Sequence, residues 1–196
     1  MTQFTQIHRQ TPAAVKSSEG ASGFAILHGS LAPEGCVVKL DGFGVEVFDG
    51  PARVFGSTED ALDGIARGRV RACDIVIVRQ DGGEITAAGL QAVAEALEDA
   101  GIERVTILTD GRTAGSEAGT IIGHVAPGAQ ARGPIAYVND DDIIHIDIAA
   151  RRIDVFADIE LRRATKAQKP GKITFGAGAL EKYARMVTSV TNAGML

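Results

Sequence analysis

Cysteine is scarce in this chain: of 196 residues, only Cys36 and Cys73 carry a thiol. Two thiols cannot by themselves build a four-cysteine zinc or iron–sulfur site. They sit in Cys-Val-Val-Lys-Leu and Cys-Asp-Ile-Val-Ile-Val, which read as buried strands, so both are expected to be reduced core residues rather than a disulfide or metal pair. Long apolar runs are also missing. None approaches the roughly 18 residues that span a bilayer, and residues 1–15 have no apolar signal-peptide core. A cytoplasmic protein with no membrane partner is the expectation. Positive charge is not in excess either. With a formal net charge of -5, the chain lacks the basic balance of a phosphate-backbone binder, which argues against nucleic acid. Internal repeats and low-complexity tracts are absent.

What is present is apolar content and glycine. At 45% hydrophobic residues the chain can fill one domain core, which excludes disorder of the whole. The 24 glycines exceed the roughly 14 of an average chain this long. Turns, and therefore strands, are expected. Residues 1–22 are polar and end in a Ser/Gly cluster, which reads as a flexible leader before a domain spanning 23–196. Four short strands are expected next, at 24–27, 36–40, 45–48 and 52–55, with Gly50-Pro51 as a turn feeding the last.

A helix should start at Ser57, which caps the acidic first turn of Glu59 and Asp60. Its apolar stripe is Ala61, Leu62, Ile65 and Ala66, and Gly68 ends it. Residues 74–79 hold a continuous Ile-Val-Ile-Val run, the mark of a strand buried on both faces. A second helix over 86–100 and a strand at 105–108 complete a βαβ unit. Further strands are expected at 133–138, 143–148 and 152–156, with His145 and Asp147 on a solvated face. Helices at 160–168 and 180–190 follow.

Chemistry concentrates between Thr109 and Pro127, after the carboxyl end of a buried strand, where open α/β sheets present ligand sites. Glycines at 111, 115, 119 and 123 let backbone amides approach a carboxylate or phosphate. Arg112 has the fork that clamps a carboxylate, Ser116 offers a hydroxyl, and His124 titrates near neutrality. The candidate set is Ser116 as a catalytic group and Asp110, Gly111, Arg112, Gly115 and His124 as substrate-binding residues. The competing reading is a long turn with Asp110 as a cap and Arg112 on the surface. No metal site is assigned: Asp140, Asp141 and Asp142 read as a solvated turn in preference to a cation site, and His8 and His28 have no ligand spacing.

In order and spacing, several segments resemble the C-terminal domain of the dihydroxy-acid and sugar-acid dehydratases. They are Leu31-Ala32-Pro33-Glu34-Gly35, Gly50 to Phe55 with Ser57-Thr58-Glu59-Asp60, Leu108-Thr109-Asp110-Gly111-Arg112, Gly123-His124-Val125-Ala126-Pro127, Gly133-Pro134-Ile135-Ala136 and Lys182-Tyr183-Ala184-Arg185. The resemblance implies an α/β swivelling, β-barrel-like domain with flanking helices, similar to the mobile domain of aconitase-type enzymes. It implies loss of water from a 2,3-dihydroxy acid to give a 2-keto acid, a step of amino-acid biosynthesis. It also implies that an N-terminal domain holds an iron–sulfur cluster and most of a magnesium site, while the C-terminal domain supplies a serine base.

Two positions depart from that pattern. Where the resemblance calls for the serine, this chain has Ala114, which cannot accept a proton; Ser116 lies two residues on. The family's Gly-Pro-Gly-Met-Pro-Glu-Met type segment after the Ile-Val-Ile-Val strand, whose acidic residue the resemblance places near the metal, is replaced by Arg79-Gln80-Asp81-Gly82-Gly83-Glu84-Ile85, with Asp81 or Glu84 as the partial substitutes on offer. The expectation is a dehydratase C-terminal-like domain, inactive alone, with cluster and Mg supplied only by a cluster-bearing N-terminal-domain subunit. A homo-oligomer is compatible with it. The alternative is a non-enzymatic carboxylate-binding or regulatory module. A third reading, new chemistry on Ser116, Glu117 or His124, lacks a complete nucleophile, base and orienter.

Overall fold

The structure, a computed structural model, describes residues 23–40, 47–80, 85–113 and 120–165. The leader at 1–22, the helix expected at 180–190 and the end of the one expected at 160–168 lie outside the described residues. Eight strands form one sheet: β1 (Phe24–Leu27), β2 (Gly35–Lys39), β3 (Val47–Phe55), β4 (Ile75–Val78), β5 (Thr106–Thr109), β6 (Thr120–Ala126), β7 (Ile143–Asp147) and β8 (Arg152–Val155). Their order is β1-β2-β6-β5-β4-β3-β7-β8. β3, β4, β5 and β6 run parallel to one another, and the remaining pairs are antiparallel. The three helices among the described residues are α1 (Thr58–Ala66), α2 (Ala87–Asp99) and α3 (Ile159–Thr165).

The sheet nearly closes into a barrel. Just past β1, His28 donates its amide to Arg151 O (3.0 Å) and accepts from Ile153 N–H (3.0 Å), so the first strand meets the last. Ser30 extends the seam: its Oγ accepts from Val155 N–H at 2.9 Å, and its own amide donates to Asp154 Oδ1 at 2.8 Å. Between them only glycine fits at position 29, because a Cβ there would stand 1.8 Å from Ile153 O.

Alternation along the strands divides the apolar residues between two cores. Ile75 and Ile77 point into the barrel with Leu27, Leu108, Ile122, Ile144 and Ile153. Val76 and Val78 point outward against Ile65 of α1 and Leu90, Val93 and Leu97 of α2. That explains the unbroken Ile-Val-Ile-Val run: all four residues of β4 are buried. Both helices begin as their sequences dictate, with Ser57 accepting from Asp60 N–H and Thr86 accepting from Gly89 N–H.

Several expectations are corrected. The strands expected at 45–48 and 52–55 are one strand, β3, and Gly50-Pro51 lies within it. Its first half pairs with β7 and its second with β4, so Pro51 sits where the ladder changes partner. The apolar run at 133–138 is a buried 3-10 helix, Pro134–Tyr137, not a strand. Proline at its first position presets the helical φ. Cys73 is a half-exposed turn residue with φ 67°, whereas Cys36 is fully buried in the barrel; both thiols are free. His145 does lie on the outer face, but it is half-buried and its Nδ1 is 2.7 Å from Asp49 Oδ1. No helix among the described residues is long and apolar enough to cross a membrane.

Candidate functional site

Because β3 to β6 run parallel, their carboxyl ends share one rim of the barrel. The loop after β5 supplies Asp110, Gly111, Arg112 and Thr113. The stretch expected to stay a loop as far as Pro127 instead contains β6, which brings His124 to the same rim. His124 sits in a β-bulge: Gly35 pairs with Ala126 and Val37 with Gly123, so His124 and Val125 together oppose Cys36 alone. The extra residue adopts φ 55°, turning Val125 into the barrel core while His124 stays half-buried. Its amide donates to Gly111 O at 3.1 Å, latching the bulge to the loop after β5. Thr113 crosses so close to Gly123 that a Cβ there would meet its side chain at 2.5 Å.

The sequence-derived candidates therefore separate into three groups. Arg112 and His124 come together: the Arg112 side is exposed, and burial first, then the Arg112 charge, hold the imidazole below its ordinary value of 6.5. His124 is accordingly neutral at pH 7, beside a permanent cation. Gly111 is buried under Ile85, which a Cβ would meet at 2.8 Å. Asp110 does not face outward as a free carboxylate. Its Oδ1 accepts from Gln80 N–H (2.8 Å) and its Oδ2 from Ala129 N–H (2.7 Å). Gly115 and Ser116, with Ala114 and Glu117, lie outside the described residues, as do Asp81 and Glu84.

Arg79, not singled out in the sequence, closes the other side of the rim. Its Nη1 donates to the carbonyls of Ile135 (3.3 Å), Ala136 (3.0 Å) and Val138 (3.1 Å), holding the 3-10 helix against the end of β4. Only its place after a buried strand could have drawn notice. The acidic triplet is elsewhere and differs from a merely solvated turn: Asp140 pairs with Arg69, Asp141 with Arg53 and Asp142 with Arg162. Among the described residues no group of three His, Cys, Asp or Glu side chains could hold a metal ion.

These strands and helices define an α/β domain whose rim carries the exposed Arg112 beside a half-buried imidazole, at the carboxyl ends of parallel strands where open α/β sheets present ligand sites. The sequence comparisons narrow that class. The family model described as "Dihydroxy-acid/6-phosphogluconate dehydratase C-terminal" matches residues 9–194, and the chain belongs to this family. Similar proteins include the dihydroxy-acid dehydratase of Arthrobacter sp. (strain FB24), 44% identical over 173 residues, which are 86% of this chain and 30% of that protein. Dihydroxy-acid dehydratase 2 of Corynebacterium efficiens is 45% identical over 175 residues, again 86% of this chain and 30% of the relative. A dihydroxy-acid dehydratase of Saccharolobus islandicus (strain M.14.25) is 39% identical over 172 residues, 86% of this chain and 31% of that protein. The chain thus spans less than a third of the length of these relatives.

Proposed function

We propose that this chain is the swivelling, closing domain of a dihydroxy-acid dehydratase assembly, inactive by itself and dependent on a separate cytoplasmic chain. The observation that carries this reading is the match of residues 9–194 to the dehydratase C-terminal family, together with Arg112 beside His124 on the rim. The reaction would remove water from a 2,3-dihydroxy acid and leave a 2-keto acid. Within it, Arg112 binds the substrate carboxylate through paired N–H donors. The neutral His124 hydrogen-bonds a substrate hydroxyl or carbonyl and leaves the local positive charge to Arg112.

The cluster that this family implies does not fit the two thiols of this chain, and among the described residues no group of three His, Cys, Asp or Glu side chains could hold the magnesium. Cys36 is sealed inside the barrel, where burial pushes its thiol up to about 12, which disfavours the thiolate a metal needs. Cys73 stands in a turn before β4. Both groups are therefore assigned to the partner, a cluster-bearing subunit with the fold of the N-terminal dehydratase portion. Alanine at position 114 favours one competing reading, a carboxylate-binding or regulatory module that has left catalysis.

Assay of the purified chain with 2,3-dihydroxy acids and magnesium separates these. No turnover is expected, and turnover by the chain alone would overturn the proposal. Co-purification with a brown, cluster-bearing chain supports the split enzyme, and Ala114→Ser should raise activity in that complex. A chain that binds the acids but recruits no such partner supports the binding module.

A further inference from the structure

We propose that Asp110 is a positioning residue, whose carboxylate ties the end of β4 to the turn after β6 and so fixes Arg112 beside His124 without touching the ligand. Three chain segments converge on it. Gln80, 30 residues earlier in sequence, gives its amide to Oδ1, and Ala129, 19 residues later, gives its amide to Oδ2. Both are charge-assisted bonds of ordinary length, each oxygen serving a different segment. Gly128 packs against the same carboxylate, where an added Cβ would stand 3.0 Å from Oδ2.

No sheet ladder does this work. The β4–β5 pairing ends at Val78 and Thr109, and the β5–β6 pairing at Leu108 and Ile122. Beyond those points β6 stays paired with β2 and Arg79 N–H still reaches Phe55 O, but the segments after β4, β5 and β6 are joined to one another through Asp110 and two short links on either side of it. Gly111 N–H donates to Thr109 Oγ1 at 2.9 Å, and His124 N–H donates to Gly111 O at 3.1 Å. Asp110 therefore anchors the chain entering Gly111, the Gly111 carbonyl latches the bulge at His124, and Arg112 follows directly on the exposed side. A tripeptide that reads in the sequence as part of a ligand loop divides its labour: Asp110 faces the protein, and Arg112 faces outward.

The inference rests on the anion-binding reading only for what Arg112 and His124 hold; the bracket itself is tested without a ligand. In the isotope-labelled full chain, scalar couplings across hydrogen bonds should connect the Gln80 and Ala129 amides to the Asp110 carboxylate carbon. Their absence overturns the proposal. Asp110→Asn should speed hydrogen exchange at Gln80 and Ala129 by about tenfold, as the loss of a charge-assisted bond implies. It should also move the His124 titration midpoint up. Val76→Ala, which thins the helix-side core away from the rim, serves as the control: its midpoint should stay that of the unaltered chain. Equal midpoints in Asp110→Asn and Val76→Ala would mean that Asp110 only stabilises the fold, and the positioning role is lost. Glycerate, added as a probe, should shift Arg112 and His124 resonances and leave the Asp110 couplings intact. Couplings that vanish on its addition would make Asp110 a ligand contact and overturn the proposal. Failure of glycerate to bind, with the couplings present, removes the carboxylate reading and keeps the bracket.

Discussion

His124 carries the most informative chemistry of any single residue in the structure. Its imidazole titrates below 6.5 because burial, and then the Arg112 charge, oppose protonation in the folded state. The unfolded chain feels neither, so between 6.5 and the lower folded value it binds more protons than the native state does. Stability contributed by a neutral His124 is therefore complete above 6.5 and is lost as pH falls through that window. Urea unfolding of the chain and of His124→Gln on either side of 6.5 should show a stability difference that shifts against the native histidine on the acid side. Arg112→Met should raise the His124 midpoint only part of the way, because burial is the larger cause; a full return to the ordinary value would make Arg112 the sole cause. The sequence offered Arg112 and His124 as candidates from residue type and from their place after the end of a buried strand, and the structure brings them together. It offered Asp110 in the same list, and no property of the sequence could show that both its oxygens are occupied by amides from distant segments.

At the scale of elements, the local signals were sound and the non-local ones were not. The cap at Ser57 and the doubly buried β4 are written in a few adjacent residues and form as read, and the second helix forms with Thr86, expected as its first residue, serving as its cap. β3 was split because Gly50-Pro51 has turn chemistry; what keeps it a single strand is a change of partner from β7 to β4, set by residues far along the chain. β6 was hidden by Gly123 and the glycines that precede it in the sequence, since its strand character comes from pairing with β2 and β5 on either side. The barrel seam is the extreme case. It rests on His28, Gly29 and Ser30 meeting β8 more than a hundred residues later, and Gly29 has no room for a side chain. Gly29→Ala should accordingly open the seam, with amide exchange at His28, Ile153 and Val155 rising while the protection of β4 and β5 changes little. Unchanged exchange at Ile153 would show that the seam tolerates the added methyl group. Gly68→Ala is the comparison: its φ of 70° costs strain, but nothing lies within 4 Å, so its effect should stay local to the end of α1.

For the molecule as a whole, the decisive feature is that its two cores share the same strands. Ile77 packs inside the barrel and Val76, one residue away, packs under the helices, so β4 cannot leave one core without leaving the other. β5 repeats the arrangement with Leu108 inside and Ile107 outside. The barrel and its helical cover should therefore melt as one cooperative unit. Ile77→Ala, a barrel-side deletion, and Leu90→Ala, a deletion from α2, should each cost about 2–5 kcal/mol. Both should shift a single transition, seen alike by backbone circular dichroism and by tyrosine fluorescence, to which Tyr137, buried in the barrel core, contributes. Two separated transitions in Leu90→Ala would mean that the helices are an independent layer. The same coupling bears on the proposed assembly. A domain that moves as one body over a cluster-bearing partner needs its ligand rim rigidly joined to its core. Here the rim residues hang from the ends of β4, β5 and β6, the strands at the centre of that shared core. Cooperative melting is thus the property that would let Arg112 and His124 be delivered to a partner's site in fixed relation to each other.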